Sequence, residues 1–200
     1  MTAFGIGRTT FLVGAAALVA AAALVFAFGV AGKGKAPTRP AETISAGQRL
    51  YADGAYGDAV EALRAEYRAE PTERTKRFLV RALLASGDAL SALDLLRVDA
   101  PLPRDEAAML RAESLLRLGR AEEAREEADG FAASAPGAAA LYRARSAYLS
   151  GDDAAAKAEI EASLRAGGYA ADAWLFRVRT ALSENDFAAA EAAETRAAEA

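Results

Sequence analysis

The chain has 200 residues, 53% of them hydrophobic and many of those alanine, with a net charge of −4. It has no cysteine and no histidine, which removes disulfides, thiol nucleophiles, imidazole bases and the usual zinc sites together. The first forty residues hold Arg8, Lys33, Lys35 and Arg39 and no acid, which leaves 20 bases against 28 acids for the rest, a net of −8. A domain with that balance repels a phosphate backbone, so nucleic-acid binding is not expected.

After a short tail (residues 1–8), no charge interrupts the stretch from Thr9 to Gly32. About 20 apolar residues suffice for a helix to span a bilayer, so residues 9–32 are predicted to form a single membrane-spanning helix. The alternative is a cleaved signal peptide, for which the small residues near 27–32 are suited but the apolar run is long. Lys33, Lys35 and Arg39 outnumber Arg8 plus the α-amine by one charge. The positive-inside rule then leans towards a cytoplasmic carboxy-terminal domain, with a periplasmic one left open. Residues 33–40 read as a Gly/Pro linker.

From residue 41 the sequence is periodic. Gly54, Gly87, Gly119, Gly151 and Asn185 lie 33, 32, 32 and 34 residues apart. Five residues after each comes an alanine: Ala59, Ala92, Ala124, Ala156 and Ala190. Four before stand Leu50, Leu83, Leu115, Ala147 and Ala181, and seven before stand Gly47, Val80, Ala112, Ala144 and Val178. This pattern predicts a helix, a tight turn and a second helix, repeated. Gly or Asn ends the first helix in a left-handed conformation, and the alanine lets the second helix approach closely. Apolar residues three and four apart give each helix a buried stripe. Pro71 and Pro136, each seventeen after its anchor, are expected to close their units. Because one such pair cannot bury its own face, the pairs are expected to stack. The "GDD" at 151–153 is expected to cap a helix, since an acid suits a helix N-terminus.

The register resembles the tetratricopeptide repeat family, whose unit is about 34 residues. The predicted fold is therefore all-α, an α-solenoid of five units: about 41–72, 73–104, 105–136, 137–169 and 170–200. Only Trp174 supplies the family's early aromatic, and Asn185 stands where glycine is usual. The last unit runs to residue 200 with no polar helix after it; either its uncapped face meets something, self-association being one candidate, or the chain is part of a longer one.

The resemblance implies a groove lined by the first helices, with exposed positions three, six, ten and thirteen residues before each anchor. These positions include Tyr51, Arg74, Arg77, Arg81, Arg145, Tyr148 and Arg179, and with Arg117 they form the candidate partner-binding set. Arg74, Arg77 and Arg81 fall on one helical face, on a helix with few acids of its own, so little internal pairing is expected. Arginine forks beside tyrosine rings suit a protein or peptide partner, one rich in carboxylates. The competing reading is a set of solvated side chains paired with nearby acids. The acidic run Glu122, Glu123, Glu126, Glu127 and Asp129 is read as a solvated outer face, not a metal or acid/base site. No catalytic residue, metal site or cofactor is assigned. The expected function is a membrane-anchored interaction scaffold at an inner membrane. The alternative is an exported repeat protein serving envelope assembly, secretion or polysaccharide export.

Overall fold

Ten helices and no strand occur among the described residues, 44–97 and 102–200 of a computed structural model. These residues belong to one unit, Ile44–Ala200. The predicted span at 9–32 and linker at 33–40 lie outside them. Among the described residues no helix is long and apolar enough to cross a membrane.

The helices pair as expected. The first unit holds α1 (Ala46–Ala52) and α2 (Tyr56–Ala69), and the second α3 (Glu73–Ala85) and α4 (Ala89–Arg97). Next come α5 (Arg104–Arg117) with α6 (Ala121–Gly130), then α7 (Pro136–Leu149) with α8 (Asp153–Ala166). The last pair is α9 (Ala170–Ser183) and α10 (Phe187–Glu199). Each helix packs on the next in sequence, and α1 touches α3, α5 touches α7, and α7 touches α9. The odd-numbered helices therefore lie side by side in a row.

The turns are uniform. Gly54, Gly87, Gly119, Gly151 and Asn185 all have φ between 60° and 91°. In each turn the amide after the anchor donates to the carbonyl four residues before the anchor, as from Ala55 to Leu50 and from Asp186 to Ala181, at 2.8–2.9 Å. The anchor amide donates to the carbonyl three before it, at 3.1–3.2 Å. This pair of bonds satisfies the helix's last carbonyls and needs the left-handed residue. Asn185 shows that asparagine serves there too.

The five alanines beyond the anchors are all buried, which is why a larger residue does not occur there. Ala59 and Ala92 join an apolar cluster with Leu63, Leu79 and Leu83, and Ala124 one with Leu93 and Leu115; further clusters hold Phe131, and Ile160 with Phe176. Helix starts are capped by side chains where the sequence allows. Ser45 and Thr72 form capping boxes, and Asp152 and Asp186 accept from the Ala155 and Ala189 amides.

One expectation is corrected. Pro136 does not close the third unit but is the first residue of α7. That position has no intrahelical use for an amide and suits proline's fixed φ.

Candidate functional site

The row of odd-numbered helices carries every predicted partner-binding residue. Its arginines, however, are paired far more than their own helix suggests. Arg77 is held at both ends of its fork: Nε and Nη2 donate to Glu106 at 2.5 and 2.7 Å, and Nη2 also meets Glu73. Its charge state is pinned by those hydrogen bonds. Arg74 donates to Gln48 Oε1 at 2.7 Å. Arg81 sits 3.8 Å from the same Glu106, a loose pair. The expectation of little internal pairing therefore fails, because Glu106 comes from the neighbouring repeat and joins Glu73 of the same helix.

A second network ties units three, four and five. Arg145 Nη1 and Nη2 donate to Glu113 at 2.5 and 3.2 Å, and Arg117 Nε donates to the same carboxylate at 2.8 Å. Arg117 also reaches the Leu84 carbonyl at 2.7 Å. Burial alone would raise the Glu113 carboxyl, but the hydrogen bonds and charge of Arg145, joined by Arg117, hold it below its ordinary value. Arg145 lies 5.5 Å from the centre of the Tyr142 ring, and burial pushes that phenol up. Asp172 lies nearby on α9. Burial pushes its carboxyl up, against the pull of Arg145 and with repulsion from Glu113.

The tyrosines are partly structural. Tyr51 meets Tyr56 at 5.6 Å and Phe78 edge-on at 5.8 Å. Tyr148 meets Phe176 edge-on at 5.6 Å, and Arg179 lies over the Tyr148 ring, 5.4 Å from its centre. Burial raises the Tyr51 phenol, while Arg81 and, less strongly, Arg117 lower it. Arg81 and Arg117, from the next two units, thus lie within electrostatic reach of Tyr51. The two guanidinium side chains keep 35% and 45% of their surface exposed. Arg145 and Arg77 are spent on internal pairs; Arg81, Arg117 and Arg179 retain donors on the surface.

Other pairs escaped the sequence reading. Arg111 bonds Glu127 at 2.8 Å and Arg143 bonds Glu159 at 3.1 Å, each between the two helices of one unit. Both arginines lie eight residues before an anchor and both glutamates eight after it, a recurrence visible in the sequence. Arg177, at the same offset, instead meets Glu161 of the preceding unit. The acidic run on α6 is distributed among Arg120, Arg111 and Arg143, with Glu122 and Glu126 exposed. Among the described residues no group of three or more acids gathers to hold a metal ion.

No protein-family model matches the sequence, and a comparison with curated proteins finds no match. Among solved structures, the crystal structure of MamA is similar, with a TM-score of 0.55 over 78% of this chain and 95% of that one. The fold is tetratricopeptide-like. At 15% identity the likeness concerns architecture alone.

Proposed function

We propose that this chain is a membrane-tethered scaffold that holds a protein partner against its row of first helices. The observation that carries the reading is that Arg81 and Arg117, with side chains 35% and 45% exposed, lie within electrostatic reach of Tyr51, with Arg117 anchored to the Leu84 carbonyl of the second unit. Guanidinium donors left over from internal pairing, beside an aromatic ring, suit a carboxylate of the partner. The acidic partner expected from the sequence is kept, but its contact moves from Arg74 and Arg77 to Arg81 and Arg117. No catalytic task is assigned.

The test is a quantitative pull-down from native membranes with the full chain. Combining Arg81→Glu with Arg117→Gln is expected to lose the partner, since like charges facing each other cost several kcal/mol. Glu122→Ala with Glu126→Ala, on the exposed face of α6, is expected to keep it. Equal recovery by both variants would end the groove reading.

The tether rests on the uncharged stretch from Thr9 to Gly32, and the cytoplasmic side on Lys33, Lys35 and Arg39. A reporter fused after Ala200 is expected to be active only in its cytoplasmic form. Activity of an export-dependent reporter at that position would shift the reading to an exported envelope protein.

A further inference from the structure

An arginine stands eight residues before the anchor in units three, four and five, as Arg111, Arg143 and Arg177. For two of them an acid arrives from the second helix of the preceding unit, ten residues after that unit's anchor. Asp129 lies 3.2 Å from Arg143, and Glu161 meets Arg177. At the junction of units two and three the same place, ten after Gly87, holds Arg97. Among the described residues Arg111 therefore has one acid, Glu127 of its own unit, and Arg97 has Asp94 of its own helix. The second of these pairs is solvent-exposed and holds its arginine only weakly.

A cleft of about 320 Å³ opens at this junction between α5 and α6. Arg104 and Arg111 line it from α5, and Glu123, Glu126 and Glu127 from α6, with the buried Ala108 and Leu115 between them. Arg97, on α4, is within electrostatic reach of Glu123. Glu127 is neutralised by Arg111 and Glu123 by Arg120. Arg104 and Glu126 are exposed, and among the described residues neither has an ion-pair partner. The corresponding cleft of unit five, about 190 Å³, is closed differently: Glu161 and Lys157 of α8 pair with its Arg177 and Glu184.

We propose that the cleft beside Arg97 binds a small zwitterion of the amino-acid class with an aliphatic side chain. The carboxylate follows from the register. It takes the place that Asp129 and Glu161 fill at the next two junctions, where Arg97, Arg104 and the unused donors of Arg111 can receive it. The ammonium follows from Glu126, which no internal base neutralises. The aliphatic body follows from Ala108 and Leu115 between the two charged sides. A plain anion leaves Glu126 unanswered, and a plain cation leaves Arg104 and Arg97 so. A partner helix is disfavoured because α4 already packs here, Leu93 sharing an apolar cluster with Leu115 and Ala124. The site draws on the second helices and is independent of the Tyr51–Arg81–Arg117 surface.

The probe is free L-leucine, titrated into the full chain in detergent micelles with its arginines labelled with nitrogen-15. The Nε–Hε signals of Arg104 and Arg111 are expected to shift saturably, at concentrations on the order of millimolar. Leucinamide, which lacks the carboxylate, and N-acetyl-leucine, which lacks the ammonium, are each expected to bind about tenfold more weakly or worse. Arg104→Gln and Glu126→Gln are expected to weaken leucine to a similar degree, and Arg81→Gln to leave it unchanged. Arg97→Glu supplies the acid from within, so it is expected to abolish binding while the melting temperature stays equal or rises. No saturable shift, or equal affinity for leucine and N-acetyl-leucine, overturns the proposal. So does unchanged leucine binding by both Arg104→Gln and Arg97→Glu. A helical peptide carrying glutamate and lysine four residues apart is the last arm; if it shifts these signals and leucine does not, the occupant is a protein segment and the proposal fails.

Discussion

Replacing Glu113 with alanine is expected to lower the unfolding free energy by about 2–3 kcal/mol at neutral pH, within the range for losing one partner of a charged, hydrogen-bonded pair. Glu113 keeps 15% of its side-chain surface and Arg145 29%, so neither charge is well served by water. The substitution leaves Arg145 against Tyr142 with only Asp172 in reach. Urea unfolding measures the effect as a lower midpoint at unchanged slope. An unchanged midpoint would show that the network adds nothing to stability.

The pH dependence has a defined sign. The folded carboxyl of Glu113 titrates below its unfolded value near 4.5. Its stabilising contribution is complete above that unfolded value and is lost as pH falls through the lower folded one. Asp172 runs the other way. Burial raises its folded pKa above the unfolded 3.8, so the ionised group costs stability above the folded value. That cost disappears as pH falls below the unfolded one. At pH 7, therefore, Asp172→Asn is expected to leave stability equal or higher, whereas Glu113→Ala lowers it.

Gly137→Leu is expected to cost about 3 kcal/mol, the upper part of the usual range for overpacking. Gly137 lies in the first turn of α7, where that helix crosses the end of α8. Its carbonyl accepts from Ser163 Oγ at 2.8 Å, and a Cβ there would overlap the carbonyl oxygen of Gly167. The obstacle is backbone, and Gly167 is itself in the left-handed region at φ 73°, so no side-chain rotation relieves the clash. The two helices must part. Gly130, at the end of α6, has open space where a Cβ would stand, with no neighbouring atom within 4 Å. Gly130→Ala is expected to be neutral or slightly stabilising, because alanine loses less entropy in a helix. Equal melting temperatures for the two variants would remove the close-approach account.

The turn anchors were legible in the sequence because their requirement is local. A left-handed residue, the amide that follows it and a small residue five later all act within one hairpin, so they recur at a fixed offset. Asp152 as a helix cap belongs to the same class. Pro136 reads equally well as a proline beyond one helix or a proline opening the next, because both satisfy the same local rule. Only the connection length decides between them.

The candidate site was legible in part. Tyr51 and Arg81 follow from the register, whereas Arg117, two residues before its anchor, does not; both arginines lie within electrostatic reach of Tyr51. Their neighbours' neutralisation does not follow from it, because Arg77 and Glu106 are 29 residues apart and Arg145 and Glu113 are 32 apart. Position in the register places a side chain on a face. It does not state which way the fork turns, nor how far the next repeat is displaced along the row. Those depend on how the helices settle against one another when alanine-lined surfaces close.

By itself, then, the sequence determined the hairpin, its turn and the residues that must be small, since backbone conformation and the volume beneath a helix are set by neighbours in the chain. Only the tertiary structure decided that Arg77 and Arg145 are spent on adjacent repeats while Arg179 is not. It likewise decided that Gly137 is pinned beneath Gly167, whereas Gly130 is free to change. Charge pairing across repeats and backbone-to-backbone approach are properties of the stacked array, and they come into being only when one unit is laid on the next.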